Sequence, residues 1–599
     1  MTTEATTRAV LWLAQFENAL ADGNSAVATA MFLPDGYWRD LVAFTWNIKT
    51  SEGAADIRAM LDAVLARVKP GTFRIQGEAS EDNGVTSAWF TFETAVARGK
   101  GHLRLRGGKA WTLFTTMREL KGHEERQGWT RDEGVVHGAL KGGRQTWLER
   151  RQESEASVGI TDQPFCLVIG GGQGGIGLGA RLKQIGVPSL IVDANKRAGD
   201  AWRNRYKSLC LHDPVWYDHL PYLPFPDHWP VYTPKDKMGD WLEMYVGIME
   251  LNYWAATVCK GASYDEAAGE WTVNVERDGT PLVLRPKHIV LATGMSGVPE
   301  MPRIKGMETF AGQQHHSSAH PGGDAWAGKH CIVVGANNSA HDIAVDLWEH
   351  GAASVTMLQR SSTLVGRAST LRKNGDAGLY SQAAVDRGLG VDDADLTVAS
   401  LPYALWPAAQ KPIWDKIRND DAEFYARLEK AGFKLDFGDD DSGLSLKYHR
   451  RGSGYYIDVG GSELVANGQI ALRSGVVTTE IKPRAIVLSN GEELPADLIV
   501  YATGYGSMSG WAEMLISATV AEKVGICWGL GSNTAKDPGP WEGELRNMWK
   551  PTRQDGLWFH GGNLAQSRHY SRYLALQLKA RFEGIETPVY GMPVVHHPR

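Results

Sequence analysis

The sequence predicts an α/β protein with two Rossmann-like units, preceded by a smaller α+β module. Three observations carry this. Two glycine-rich turns, Gly170-Gly171-Gly172-Gln173-Gly174-Gly175 and Gly335-Ala336-Asn337-Asn338-Ser339-Ala340, each follow a buried-strand pattern and each open a helix. A lone GxGxxG is weak, and a strand before it with a helix after it supplies the context that makes it count. Two further strands end in the same tripeptide, Ala292-Thr293-Gly294 and Ala502-Thr503-Gly504. Ahead of both units, residues 1–126 read as helices followed by a strand meander.

In that first module, Val10, Leu11, Leu13, Ala14, Phe16 and Leu20 recur at helical spacing over 8–20, and Asp22-Gly23-Asn24 stops the helix. A second helix is expected over 52–66, and strands over 72–75, 85–94, 101–106 and 110–118. The order, with Phe32-Leu33-Pro34-Asp35-Gly36-Tyr37-Trp38 and Thr45-Trp46-Asn47-Ile48, resembles the cone-shaped NTF2-like domain. The mouth of such a cone can hold a reactive His102 or Asp35. A docking or dimerisation module is favoured, because no constellation of acid, base and nucleophile is visible.

Residues 127–163 form a charged connector with some helix. The first nucleotide domain is expected over 164–327, the second over 328–496, and the C-terminal part of the first over 497–599. A helical, Trp- and Tyr-containing stretch at about 370–475 interrupts the second and reads as an insertion covering an active site.

The 599 residues leave room for two to four domains, and the net charge of -6 makes nucleic acid an unlikely partner. Five scattered cysteines without a CxxC pair exclude a disulfide scaffold and a zinc ribbon, and no metal site is expected. The segment 1–7 lacks a basic n-region and no apolar run nears the roughly 20 residues of a bilayer span. A cytoplasmic protein with no membrane partner is expected. The 22 tryptophans point to aromatic-lined cavities, with ordinary core use as the competing reading.

Within the first unit, Gly170 permits a tight turn, Gly172 lets amides approach a diphosphate, and Gly175 lets helix and strand pack closely. Asp193 ends the next strand, where a carboxylate accepts ribose hydroxyls. The second unit is altered: Gly335 is kept, but Asn337 stands at the middle glycine and Ala340 at the third, with Ser339 between them. Its partner strand ends in Arg360, Ser361 and Ser362, suited to the 2′-phosphate of NADPH. A surface arginine at a strand end is the competing reading.

Between the units, Phe310-Ala311-Gly312-Gln313-Gln314-His315-His316-Ser317-Ser318-Ala319-His320 resembles FxGxxxHxxx(F/Y/W), the fingerprint of class B flavoprotein monooxygenases, which include flavin-containing and Baeyer-Villiger enzymes. His320 replaces the final aromatic. With the N-terminal module and the GxNxSxH pattern, the chain resembles the bacterial type II flavin-containing monooxygenases.

The resemblance implies a two-domain flavoprotein with FAD in the first unit and NADPH in the second, NADH being tolerated in that subtype. The turns Thr293-Gly294 and Thr503-Gly504 would link the domains, and His316 would act at the active site. Trp202 and Arg203 of Gly199-Asp200-Ala201-Trp202-Arg203 would lie near the flavin, although Asp200 departs from the usual glycine. Gly561-Gly562-Asn563 precedes a helix expected from about 565 to 582, whose N-terminus would face the flavin.

The reaction so implied is hydride transfer from NADPH, addition of O2 as a flavin C4a-peroxide, and oxygenation of a small organic substrate. Ketones, sulfides, amines and indole all stay open. His212 and Asp213 are the candidates for controlling the proton of the oxygenating species, a local turn being their competing reading. A disulfide reductase lacks its cysteine pair here. An NAD(P)H oxidase releasing hydrogen peroxide and a flavin-binding interaction protein remain as rivals, and a homodimer through the N-terminal module stays open.

Overall fold

The computed structural model describes residues 3–135, 137–138, 140–295, 298–376 and 378–597. Residues 1 and 2 of the N-terminal stretch, 136 and 139 of the connector, 296–297, 377 of the insertion and 598–599 lie outside the described residues.

The N-terminal unit opens with the helix Glu4–Ala21, capped by the Thr3 side chain accepting from Thr6 N–H. It buries Ala9, Leu13, Phe16 and Leu20 on one face. The expected second helix is Gly53–Val68, and a short one at Ser25–Ala30 precedes it. Six strands form one sheet in the order Ile48–Glu52, Phe32–Leu41, Lys109–Leu120, Ala97–Arg106, Val85–Glu93, Gly71–Asp82. All neighbours are antiparallel except Phe32–Leu41 with Lys109–Leu120.

The interior of this unit is filled by rings. Phe90 and Phe92 lie opposite Gly101 and Gly99 on the next strand, and a Cβ on either glycine would come within 2.2–2.3 Å of a ring carbon. Trp38 and Phe44 meet edge to face at 4.9 Å between centroids. Asp35 is exposed, and His102 is buried edge-on to the Trp89 ring. They form no shared site.

The first parallel sheet runs Leu557–Phe559, His288–Leu291, Cys166–Ile169, Ser189–Val192, Tyr253–Trp254. The second runs Gln313–His316, Leu498–Tyr501, His330–Val334, Ser354–Gln359, Ala471–Ser474, again all parallel. This corrects three expected boundaries. Gln313–His316 and Leu498–Tyr501 pair with each other and belong to the second sheet, so the divisions at 327/328 and 496/497 fall inside it. The insertion also closes earlier than 475, because Ala471–Ser474 is an edge strand of that sheet. Between the sheet strands the insertion is helical as expected, with Val391–Ala399, Trp406–Asp420, Ala422–Lys430 and Leu444–Arg451.

One continuous apolar core joins the N-terminal unit to the first parallel sheet, while the second sheet has its own clusters. The N-terminal unit is therefore built into the molecule. Its Arg39, 1% exposed, forms parallel bonds to Glu544 at 2.7 and 2.8 Å and donates to the Ala399 carbonyl at 2.6 Å. Asn47 Nδ2 donates to the Tyr590 carbonyl, and Tyr590 N–H returns a bond to the Thr45 carbonyl. Among the described residues no helix is long and apolar enough to cross a membrane, and all five cysteines are free.

Candidate active site

In the first turn Gly170 has φ +109°, and a Cβ there would sit 2.5 Å from the Ala292 carbonyl. A Cβ on Gly175 would lie 1.9 Å from the Gly170 carbonyl. Gly172 is different: its Cβ would meet nothing nearer than 4.0 Å, so the turn is open on that side. The helix Gln173–Gln184 begins there without a side-chain cap, leaving its first amides free. Close by in sequence to the crossing Ala292, the Thr293 hydroxyl is buried without a partner among the described residues and Gly294 has φ +93°. An open cradle, free amides and an orphaned hydroxyl fit a bound dinucleotide diphosphate.

Asp193 takes part in the glycine turn. Its carboxylate accepts from Gly171 N–H at 2.7 Å, Asn195 N–H at 2.8 Å and Asn195 Nδ2 at 2.9 Å, so it braces the glycine turn itself. Trp202 reaches the helix start, donating from Nε1 to Gln173 Oε1 at 3.1 Å. Arg203 does not. It is held by Asp200, Asp240 and Glu243, which also explains Asp200 at a glycine position. The tight backbone approach falls instead on Gly199, φ +88°, where a Cβ would be 2.1 Å from the Gly239 carbonyl.

The second turn repeats the crossing. Gly335, φ +133°, would place a Cβ 2.5 Å from the Ala502 carbonyl, the same relation as Gly170 with Ala292. Each Ala-Thr-Gly turn thus lies across the first glycine of its own unit. Asn337 caps Asn338–Glu349 at φ -100°, a conformation that needs no glycine, and Ala340 is fully buried. Ser339 is half-buried, and Arg360 and Ser361 are exposed at the end of Ser354–Gln359.

His316 is a brace and does not line the cavity described next. Its Nδ1 accepts from Ser318 N–H at 3.1 Å, which leaves Nε2–H to donate to the Gly504 carbonyl at 3.0 Å. Burial lowers its pKa, in keeping with this neutral tautomer. Thr503 Oγ1 donates to the Glu300 carbonyl at 2.5 Å, tying the same turn from the other side. The fingerprint's Phe310 and Gly312 pack on each other, since a Cβ on Gly312 would be 2.2 Å from the Asp497 carbonyl and 2.7 Å from the Phe310 ring.

A cavity of about 470 Å³ lies between the segment 212–217, the insertion and the start of the last helix. His212, Asp213 and Asn563 all line it, so the structure brings these three predicted residues together. His212 Nε2 lies 3.3 Å from Asp342 Oδ2, and Tyr206 donates to that oxygen at 2.7 Å. Burial alone would lower His212, but Asp342 and the charge of Asp213 raise it above its usual range. Burial raises the Asp213 carboxyl.

At the other wall, Asn563 caps Leu564–Phe582 by accepting from Gln566 N–H at 2.9 Å and donates from Nδ2 to Tyr217 at 3.1 Å. Gln566 donates to His449 Nε2 and accepts from Tyr448, which also accepts Asn563 N–H. Every member of this network is satisfied, and it locks the insertion helix Leu444–Arg451 to the helix start. Arg568 and Asp395, both almost fully buried, fix Val391–Ala399 in the same way at 2.8–2.9 Å.

Asp342, Tyr217, Tyr448, His449 and Gln566 were not marked by sequence reasoning. One signal existed for Gln566: Asn563-Leu564-Ala565-Gln566 has the spacing of a capping box, although its side chain turns to the insertion instead.

Residues 195–376 match the family model described as flavin-binding monooxygenase-like. A rice protein, indole-3-pyruvate monooxygenase YUCCA1 (Oryza sativa subsp. japonica), is 29% identical over 348 residues, covering 57% of this chain and 77% of the relative. The probable indole-3-pyruvate monooxygenase YUCCA3 of Arabidopsis thaliana is 28% identical over 352 residues, covering 57% and 73%. The chain is a relative of the flavin-dependent monooxygenases. Among solved structures, an open form of cyclohexanone monooxygenase shares the fold with a TM-score of 0.50 at 16% identity, over 70% of this chain and 88% of that one. This flavin-monooxygenase relative is an enzyme, an oxidoreductase, and its similarity extends through the segment holding Trp202, His212, His316 and Arg360.

Proposed function

We propose that the protein is an NADPH-dependent flavin monooxygenase that oxygenates a small organic substrate in the cavity beside His212, Asp213 and Asn563. It uses FAD and NADPH. One observation carries the reading: two glycine turns, each crossed by an Ala-Thr-Gly turn, occur in a chain whose aromatic-lined cavity has the capped start of the last helix in its wall.

When bound, FAD would supply the chemistry of accepting a hydride from the nicotinamide and reducing dioxygen. The chain's residues do the rest. The turn Gly170-Gly172-Gly175, Trp202, Thr293, Gly294 and Asn563 would hold FAD, with Asp193 and Arg203 stiffening the backbone around it. Gly335, Asn337, Ser339, Thr503, Gly504, Arg360 and Ser361 would hold NADPH, and the exposed Arg360 has no ion-pair partner among the described residues. Trp406, Trp414 and Tyr455 exclude water from the cavity. Asp342 sits against His212 Nε2 and favours its charged form, so the imidazole holds a proton at the cavity wall, and Asp213 beside it takes or returns a proton at its carboxyl.

The finer assignment is to the type II subtype, with the N-terminal unit as an NTF2-like module; its six-stranded sheet with three helices supports that reading. Oxygen insertion next to a ketone, as in cyclohexanone monooxygenase, and oxygenation of a 2-oxo acid, as the plant relatives' names describe, are the first substrate classes to assay. Measuring NADPH consumption, peroxide release and oxygenated product together tests the proposal. Product formed in step with NADPH supports it, and peroxide at full stoichiometry whatever the substrate makes the protein an oxidase instead.

A further inference from the structure

The cavity wall contains a cation that oxygen transfer does not use. Arg104 comes from the strand Ala97–Arg106 of the N-terminal unit and lines the cavity. Its Nη1 donates to Thr112 Oγ1 at 3.2 Å and to the Ser400 carbonyl at 3.0 Å, and its Nη2 donates to Ser400 Oγ at 2.8 Å. All three acceptors are neutral. A guanidinium has five N–H donors, so its Nε–H and one Nη2–H have no acceptor among the described residues.

No carboxylate pairs with it among the described residues either, and the acids of the helix Val391–Ala399, which Ser400 follows, are engaged elsewhere. Asp393 is held by Lys100, Asp395 by Arg568 and Asp392 by Arg572. Burial pulls the Arg104 guanidinium down to about 10, with no anion opposing the effect. Arg39, which makes the same interdomain crossing, is by contrast neutralised by Glu544. Arg372 lines the cavity as well, and among the described residues it has no ion pair and Asp213 is the only carboxylate in the lining. Much of the remaining wall is apolar, including Leu371, Leu401, Trp406, Ile413 and Trp414.

A largely buried cation without a counter-charge is costly, and an arriving anion removes that cost. We propose that Arg104 is the specificity residue of the cavity, receiving the carboxylate of an apolar organic acid whose hydrocarbon body packs on Trp406 and Trp414. The inference rests on the cavity being the substrate site. It gives the N-terminal unit a function in recognition: it supplies a charged contact to a cavity whose other walls come from the nucleotide domains and the insertion.

The test is a binding titration on the full-length, flavin-loaded protein, with 4-phenylbutyrate and its uncharged amide as probes and tryptophan fluorescence as readout. Because no turnover is needed, its outcome is independent of whether the protein oxygenates. The acid is expected to bind about tenfold more tightly than the amide, and Arg104→Met should remove that difference while leaving amide binding unchanged. Arg104→Lys, which keeps the charge, should retain part of the preference. Ser400→Ala, which loosens the interdomain tether without touching the charge, should retain all of it. Equal binding of acid and amide to the wild type overturns the proposal, as does equal loss of both probes in Arg104→Met with the same loss in Ser400→Ala.

Discussion

Replacing Glu544 with Gln tests how the N-terminal unit is held. Glu544 receives Arg39 through two parallel bonds and Thr50 Oγ1 at 2.6 Å, and the Arg39 and Glu544 side chains are 1% and 3% exposed. Burial alone would lower Arg39, but Glu544 together with Tyr570 and Tyr403 more than offsets this and holds the guanidinium charged. A glutamine keeps the shape and one acceptor, yet turns an NH2 toward the guanidinium and leaves a buried charge uncompensated. Removing one partner of such a pair costs about 3–5 kcal/mol.

If the unit Glu4–Leu120 opens on its own, each kcal/mol moves its midpoint by about 4 °C, so the first transition should fall by roughly 12–20 °C. Differential scanning calorimetry reads the shift, and limited proteolysis identifies which unit opens. The double variant Arg39→Met/Glu544→Leu should recover most of the loss, because an apolar pair carries no desolvation penalty. A Glu544→Gln protein within about 4 °C of wild type, or a double variant no better than the single, would refute the reasoning.

Three further outcomes are expected. Gly172→Ala, whose Cβ meets open space, should leave the melting of the flavin-free protein unchanged but weaken FAD binding about tenfold or more by filling the cradle, whereas Gly175→Ala, 1.9 Å from a carbonyl oxygen, should destabilise the flavin-free protein itself by a few kcal/mol; flavin titration and calorimetry separate the two. Arg360→Ala should raise the NADPH KM about tenfold or more and leave the NADH KM unchanged, as steady-state kinetics with both nucleotides will show. Asp342→Asn should move the alkaline limb of the kcat/KM profile to lower pH, because His212 loses the anion that raises it. The same residue contributes stability that is full below the His reference value near 6.5 and is lost as pH rises through its raised folded value, so Asp342→Asn should flatten that part of the pH–stability curve.

What could be read in the sequence was local. The glycine turns, the Ala-Thr-Gly turns and the helix Leu564–Phe582 depend on residues within one turn or strand, and each stands where its residue types require. The strand Phe32–Leu41 was hidden by Pro34-Asp35-Gly36, which falls at a register shift between Phe32 and Tyr37 and breaks the alternation that marks a strand. Gln313–His316 read as a motif and proved also to be a sheet edge. Asp193 stands at the expected strand end, but its donors come from Gly171 and Asn195, and a strand pattern does not tell which groups turn toward a carboxylate. His212 and Asp213 were legible from their sequence neighbours. Their partner Asp342 was not, because more than a hundred residues separate it from them and only the meeting of two domains makes the contact. Arg104 escaped for the same reason, its meaning coming from the insertion that faces it.

The bond between Arg39 and Glu544 joins residues 505 positions apart. At about 5–20 residues per second, a ribosome needs roughly 25–100 s to make that stretch. Until Glu544 has been made, the face of the N-terminal unit that holds Arg39 and Thr50 stands without the carboxylate that both of them bond. Tyr590, which bonds back to Thr45, emerges later still. The order of synthesis makes the stretch from Glu544 to Tyr590 the closing fastener of the stretch from Arg39 to Thr50, and a chain cut short before Glu544 leaves Arg39 without its carboxylate.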